Sequence, residues 1–432
     1  MAGKPSGSRP LSVPRITAAG RRTGPGPFDN GFLAYGKAHP ATPMAIGVAA
    51  LCTGEPPTRE ELHLLIGLAT DICPELAAPA PAGPGHAGAF RPDRHLFEVR
   101  APAGSGSAGL NEALNEVANE PLPGVMWGVW LIHGHAPGEF AVVLRGHHAH
   151  FDGMLIARLC GQLGGADPAG APRPTPPAAR RGAPDPRAAA REALGALRRL
   201  RYTTRPVAAA HALAGRVRQV CSTADLHHMR RIAATHEATV NDVYLTALAG
   251  ALAAWETDPA WHHDHRPVRA KIPLGLRRPG TAGALGAEIS ADWLTLPCGT
   301  ADPVERLALV AAGTRRIRAR LADPGTGALM RTLPPRLRRL VLESDMNPRR
   351  TSLVATHVPG PARRLSLAGR EITGILPLMF LFAGQRLSVC LATYADTAYF
   401  SVMADRSTPD LDNLPLLWQK ELDRLAEAAR CP

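Results

Sequence analysis

Residues 165–190 read GADPAGAPRPTPPAARRGAPDPRAAA and hold almost nothing that a hydrophobic core can use. Such a tract buries too little apolar surface to offset the entropy lost on ordering it, so it reads as a linker. A chain of 432 residues interrupted in this way must be built from two parts, each long enough to form its own core. The expected division is a disordered leader over 1–27, a first lobe over 28–165, a linker or crossover over 166–205, and a second lobe over 206–432. No internal repeat is visible.

Both parts mix helical and strand patterns. In the first, TPMAIGVAALCTG (42–54) reads as a strand, and TREELHLLIGLATDI (58–72) reads as a helix behind a Thr-x-x-Glu capping box. VMWGVWLIHG (125–134) and EFAVVLRG (139–146) are β-rich runs joined as a hairpin by HAPG, and MLIARLCGQLGG (154–165) reads as a helix. In the second part, Ser222 and Asp225 suit a helix start, and TVNDVYLTALAGALAAW is a mostly apolar helix with capping-box spacing between Thr239 and Asp242. Strand-like runs follow in VRAKIPLGL, EISADWLTLP, TSLVATHV, LSVCLATY and AYFSVMAD, the last two joined as a hairpin by ADT. LPLLWQKELDRLAEAA closes the chain as an amphipathic helix. The sum predicts an α+β protein with largely antiparallel pairing.

Composition narrows the partners only a little. The net charge of +12 favours anionic ones, among them nucleic acid, anionic lipid, a phosphorylated thioester donor and an acidic carrier protein. No basic run interleaved with aromatics and no zinc-finger spacing supports nucleic acid. Seven scattered cysteines without a CxxC pair fit reduced thiols and a cytoplasmic protein. The longest apolar runs, such as ILPLMFLFAG, are shorter than the roughly 18 residues of a membrane span, so any membrane contact is expected to be peripheral.

The chemistry concentrates in LRGHHAHFDGML, residues 144–155. Strand alternation through EFAVVLRGHH would turn His147 and His148 to opposite faces, which argues against joint metal ligation. His148 and His150 could share a side, but a third ligand is not evident. A histidine at a strand end, followed by a tight Asp-Gly turn into a helix, instead suits a rigidly held general base, because imidazole titrates near neutrality. Asp152 would act as base or as an anchor fixing the loop, and Gly153 would allow a turn closed to other residues. The plain alternative is a pair of solvated loop histidines. The His-rich WHHDHRP (261–267) sits between a helix and a strand and reads as a solvated loop, and His227 and His228 read as surface residues. GPGP and GTGAL lack the setting of a phosphate loop, and no GxSxG elbow supplies a serine nucleophile.

HHAHFDG fits the HHxxxDG pattern of the coenzyme-A-dependent acyltransferase superfamily, which includes chloramphenicol acetyltransferases and peptide-synthetase condensation domains. More closely, the chain resembles the bacterial wax ester synthase/diacylglycerol acyltransferase family. DNGFLAYGKAHPATPMAIGVAAL, EPLPGVMWGVWLIHG, NDVYLTALAGAL, IPLGLRRPGTAGALGAEISADWLTLPCGTADPVERL and HVPGPARRLSLAGREI carry that likeness in order, from about residue 28 to 428. The resemblance implies two chloramphenicol-acetyltransferase-like lobes, each a mixed or antiparallel sheet with helices, and a tunnel between them. It implies an acyltransferase in which His148 deprotonates an acceptor hydroxyl that attacks an acyl-CoA thioester, with no acyl-enzyme. His147 and Gly153 would be supporting members of the motif, and Asp152 more structural than catalytic. Asn241 and Ser290 would line the tunnel or support the oxyanion. A helix start carries partial positive charge that favours that role for Asn241, whereas the alternative is a helix-terminal asparagine with no chemistry.

No metal and no cofactor are implied beyond acyl-CoA, or a carrier-bound phosphopantetheine thioester, as co-substrate. The chain departs from the family at GVMWGVW, which lacks the leading proline and the glutamate of a Pro-Leu-Trp-Glu box. It departs again at Ala287 and His357, each in place of an asparagine. These changes keep open a condensation-like amide or ester synthase fed by a carrier protein in specialised metabolism. A catalytically inactive binding scaffold is the third possibility.

Overall fold

The computed structural model describes residues 27–72, 76, 91–122, 126–153, 155–156, 159, 161, 186–199, 201–207, 212–255, 266–275, 289–322, 329 and 332–428. The leader, most of the 166–205 segment, the helix expected over 154–165 apart from a few positions, and the WHHDH stretch lie outside them.

In chain order the first half gives α1 (Pro27–Ala38), β1 (Ala45–Thr53), α2 (Arg59–Ile72), β2 (Leu96–Arg100), α3 (Gly106–Asn119), β3 (Trp127–His133) and β4 (Glu139–His147). After α4 (Pro186–Arg199) come β5 (Val217–Asp225), α5 (Leu226–Thr235), α6 (Val240–Trp255), β6 (Val268–Gly275), β7 (Ile289–Leu296), α7 (Pro303–Ala322) and α8 (Pro335–Met346). The chain then runs through β8 (Leu353–Val358), β9 (Ser366–Leu367), β10 (Arg370–Leu378), β11 (Leu387–Tyr394), β12 (Thr397–Asp405) and α9 (Asn413–Ala428). Among the described residues no helix is long and apolar enough to cross a membrane.

Two six-stranded mixed sheets organise these elements, in the orders β2-β3-β4-β1-β10-β9 and β5-β12-β11-β8-β6-β7. The fold is therefore α+β with two lobes. The first sheet is antiparallel apart from the β2/β3 pair. In the second, β8 runs parallel to both β11 and β6.

The sheets do not follow the halves of the sequence. β9 and β10, from the expected second lobe, complete the first sheet, with Gly47 opposite Leu378 and Leu51 opposite Gly374. Burial explains the exchange. β1 is covered on both faces along most of its length, so it needs a hydrogen-bonded neighbour on each side, and β10 supplies the second. β11 and β12 of the second sheet are likewise buried on both faces, whereas its edge strand β5 is only partly covered. Leu387, Val389, Leu391, Phe400 and Val402 pack in one core with apolar residues of α6, α7 and α9, whereas Val217, Cys221, Val354 and Met403 join the core of the first lobe.

Two side chains on α3 tie the lobes at the edge strand β5. Asn119 both donates to Val217 O and accepts from Val217 N, at 2.8 Å each. Asn115, one turn earlier, accepts from Gln219 N at 2.7 Å. These amide groups satisfy backbone that an unpaired strand edge would otherwise leave open. Ser222, expected at a helix start, lies within β5 instead. Asp225 is the N-cap, accepting from His227 N and His228 N.

Candidate active site

β4 leads into the site and is anchored just before it. Arg145 is buried and donates to the carbonyls of Val117, Ala118 and Glu120 at the end of α3, with its guanidinium 5.2 Å from the Trp130 ring centroid. Burial lowers its pKa to about 10, the nearby Glu120 carboxylate opposing that shift. Gly146 then makes room for Phe151, whose fully buried ring occupies the space a Cβ there would take. The chain can therefore fold sharply back on β4, with His150 N and Phe151 N both donating to His147 O.

The strand ends at His147, so its alternation does not extend to His148, which belongs to the turn. This corrects the expectation that the two rings face opposite ways: both approach α1. His147 Nε2 stands 3.5 Å from where a Cβ on Gly36 would lie, and the His148 ring stacks on Phe32 with centroids 4.6 Å apart and planes at 29°. Phe380, just past β10, meets the His148 ring from another side at 5.7 Å and 68°. Phe382 and Tyr35 extend this aromatic wall, and Tyr35 is held by a bond from Ala383 N to its hydroxyl at 2.9 Å.

Hydrogen bonding assigns opposite tautomers to the adjacent imidazoles. The Ala149 amide donates to His147 Nδ1 at 3.1 Å, so that nitrogen carries the lone pair and the neutral ring has its proton on Nε2. Burial, with contributions from His150 and His148, lowers the His147 pKa to about 4 and keeps the ring neutral near pH 7. His148 Nδ1 lies 2.8 Å from the carbonyl oxygen of Phe151, which can only accept. Nδ1 of His148 must therefore hold the proton, and Nε2 presents the lone pair. Of the two rings, His148 is set up to receive a proton through Nε2.

Asp152 is buried, and its Oδ1 accepts from Leu155 N at 2.8 Å, anchoring the helical residues after the turn. Gly153 serves a purpose other than the one expected. Its φ lies outside the left-handed region, and what excludes a larger residue is the approach of β8: a Cβ would come within 2.7 Å of Val358 Cγ2. The HHAHFDG turn is thus pressed against the second lobe.

The remaining candidates lie in that lobe. Thr239 and Asp242 form the expected capping box, with Thr239 N donating to Asp242 Oδ2 at 2.9 Å and Asp242 N to Thr239 Oγ1 at 3.2 Å. Asp242 also accepts from Thr314 and Arg318 of α7, which leaves it structural and puts half-buried Asn241 in the first turn of α6. Arg320, half a turn beyond Arg318, pairs with Asp292 of β7 at 2.8 Å. Ser290 lies two residues before Asp292, opposite Leu274 of β6, and β8 runs parallel to β6. Asn241, Ser290 and Val358 thus stand at one end of the second sheet, the end that meets Gly153. The Ser290 side chain itself lies outside the described residues.

His357 shares that end. Burial lowers its pKa to about 4, and its buried Nε2 has no hydrogen-bond partner among the described residues. Among the described residues no group of three or more His, Cys, Asp or Glu could hold a metal ion. The aromatic wall was missed in the sequence: Phe32 and Phe380 lie far from position 148 in the chain, and only the pairing of β10 with β1 brings Phe380 there.

Two family profiles match the chain. The wax ester synthase/diacylglycerol acyltransferase catalytic domain matches residues 86–225, and the WS/DGAT C-terminal domain matches 285–426. The putative diacylglycerol O-acyltransferase Rv3480c of Mycobacterium tuberculosis is 29% identical over 212 residues, 47% of this chain and 42% of the relative. The chain thus spans less than half the length of that relative. It spans much more of the probable diacylglycerol O-acyltransferase tgs1 of the same species, 24% identical over 88% of this chain and 90% of the relative.

Among solved structures, the wax ester synthase/diacylglycerol acyltransferase of Marinobacter aquaeolei VT8 superposes with a TM-score of 0.64 at 20% identity, over 94% of this chain and 100% of that one. The first condensation domain of the calcium-dependent antibiotic synthetase gives 0.62 at 16% identity, over 95% and 96% of the two chains. A mutant starter condensation domain of rhizomide synthetase RzmA, in complex with C8-CoA and Leu-SNAC, gives 0.60 at 13% identity, over 93% of each chain.

Proposed function

Because the chain belongs to the wax ester synthase/diacylglycerol acyltransferase family, whose profiles match more than half of it, we propose that it transfers an acyl group from acyl-CoA to an acceptor hydroxyl, with His148 as the general base. The observation that carries the choice of base is the pair of opposite tautomers: His148 alone of the two rings offers an Nε2 lone pair. The acceptor hydroxyl gives its proton to Nε2 while its oxygen bonds to the thioester carbonyl carbon, and the carbonyl electron pair moves onto oxygen. Collapse of that tetrahedral species re-forms the carbonyl and breaks the C–S bond, and the departing thiolate takes the proton back from the imidazolium. Ester and free thiol leave, and no residue is acylated.

Asn241 and Ser290 support the substrate or the oxyanion from the second lobe, at the sheet end that meets Gly153. His147 and Asp152 shape the turn. The wall of Phe32, Tyr35, Phe380 and Phe382 beside the base suits an apolar substrate and limits water, which would otherwise compete as acceptor. The protein is cytoplasmic, in at most peripheral contact with a membrane.

The test is to supply the purified chain with acyl-CoAs of graded length plus a long-chain alcohol or a diacylglycerol, following thiol release and ester together. Stoichiometric ester and thiol support the proposal. Product formed only from a carrier-protein-bound acyl donor would replace it with the condensation-like alternative, and no product from either donor would favour an inactive scaffold.

A further inference from the structure

The His148 ring makes a face-on aromatic contact that no motif predicts. Phe32 on α1 lies against it with centroids 4.6 Å apart and planes at 29°. A π face at this distance attracts a cation more strongly than it attracts a neutral ring. During acyl transfer a base at this position alternates between those two states, neutral imidazole and imidazolium.

The anchoring of α1 shows that the contact is built rather than incidental. Tyr35 accepts from Ala383 N at 2.9 Å and packs edge-on against Phe382, while His39 bonds Glu343 of α8 at 3.2 Å. Phe32 lies just under one turn before Tyr35, so its ring is held by a helix fixed at Tyr35 and, just past its end, at His39. The half-buried ring also packs against the first-lobe core.

We propose that Phe32 is a positioning residue for the transfer reaction, fixing the His148 ring and stabilising its protonated form through the stacked π face. This rests on His148 being the base. Among the described residues, the titratable groups on the elements beside the ring are His147, His150 and Asp152 of its own turn, Tyr35 of α1 and His39 just past its end with Glu343 behind them, and His357 at the end of β8 that meets the turn. The segments 42–50 and 376–382 that pack beside it contribute none. Phe32 therefore tunes the ring without adding a competing charge.

The stacking has two consequences. Removing the ring makes the imidazolium less favourable, so His148 stays unprotonated to lower pH. It also makes proton uptake in the transition state harder, so the plateau rate drops. Activity that is lower at its maximum yet persists further into acid is a signature that simple loss of packing does not produce.

The test compares the full-length wild-type protein with Phe32→Leu, which keeps apolar bulk without a π face, and Phe32→Tyr, which keeps the ring. Phe32→Met serves as a second ring-free variant. Protonation of His148 is followed by NMR of carbon-13-labelled histidine, its signal identified by its absence from His148→Gln, and kcat and KM are measured against pH. In the ring-free variants His148 is expected to titrate at lower pH. The kcat plateau should fall by about three- to tenfold, its acid limb shifting the same way, with KM changing less. Phe32→Tyr should restore both. An unchanged His148 titration in Phe32→Leu and Phe32→Met, or a Tyr variant that behaves like them, would overturn the proposal. If no acyl transfer is found at all, the proposed function fails and the positioning role in transfer with it, while the NMR titration separately decides whether Phe32 stabilises the protonated His148 ring.

Discussion

An alanine at position 153 would carry its Cβ to 2.7 Å from Val358 Cγ2 and 3.3 Å from Cγ1. Carbon atoms pack best at about 3.5–4.0 Å, so about 1 Å must be found by moving Val358, the β8 backbone or the turn that carries Gly153. Overpacking of this kind costs about 1–3 kcal/mol. In a helical position, alanine would otherwise gain up to about 1 kcal/mol over glycine. Gly153→Ala should therefore lose about 0–2 kcal/mol of stability, whereas in a Val358→Ala background it should be neutral or stabilising. Urea unfolding of the four proteins of this double-mutant cycle, with initial rates of acyl transfer on the same samples, measures the coupling. A coupling near zero, with Gly153→Ala equally damaging in both backgrounds, would refute the claim that β8 dictates glycine here.

Asp152→Asn keeps the shape of the side chain but weakens its acceptance of Leu155 N, so it should lower thermal stability and soluble yield more than the rate per folded molecule. A thermal midpoint measured beside kcat separates the two effects. Asn119→Ala removes a donor and an acceptor from the edge of β5 and should cost about 1–3 kcal/mol, read as a lower urea midpoint. His147 and His357 remain neutral in the folded protein down to about 4, but take protons at the ordinary value of 6.5 once unfolded. Because the unfolded state binds more protons in that interval, stability should be complete above the ordinary value. It should fall as pH drops toward about 4, by up to about 1.4 kcal/mol per pH unit for each ring. His357→Asn should flatten that acid decline, as measured by urea midpoints across the interval.

What the sequence made legible is what depends on neighbours in the chain. The capping boxes at Thr58–Glu61 and Thr239–Asp242 each form both reciprocal bonds, because three residues suffice to build them. The β11–β12 hairpin forms around Ala395–Asp396, with Tyr394 opposite Thr397. Elements whose reason lies elsewhere in the fold were not visible. REITGILPL lacks clean alternation, and Gly374 and Pro377 weaken it further as a strand, yet it becomes β10 because β1 needs a second neighbour. PFDNGFLAYGKA, with glycines at 31 and 36, is a weak helix by propensity and becomes α1 by packing on α8 and the first-lobe core.

The same division runs through the site. HHAHFDG marked the turn, but the tautomers of His147 and His148 depend on which backbone groups the turn brings to each Nδ1. The aromatic wall depends on α1 and β10, which reach His148 from opposite ends of the chain.

Acyl transfer by His148→Ala, set beside wild type at matched folded concentration, bears most directly on the assignment of the base. With acyl-CoA and an alcohol as substrates, kcat should fall by about 100-fold or more while the thermal midpoint stays close to wild type. Turnover of His148→Ala within a few-fold of wild type would mean that the acceptor loses its proton to another group.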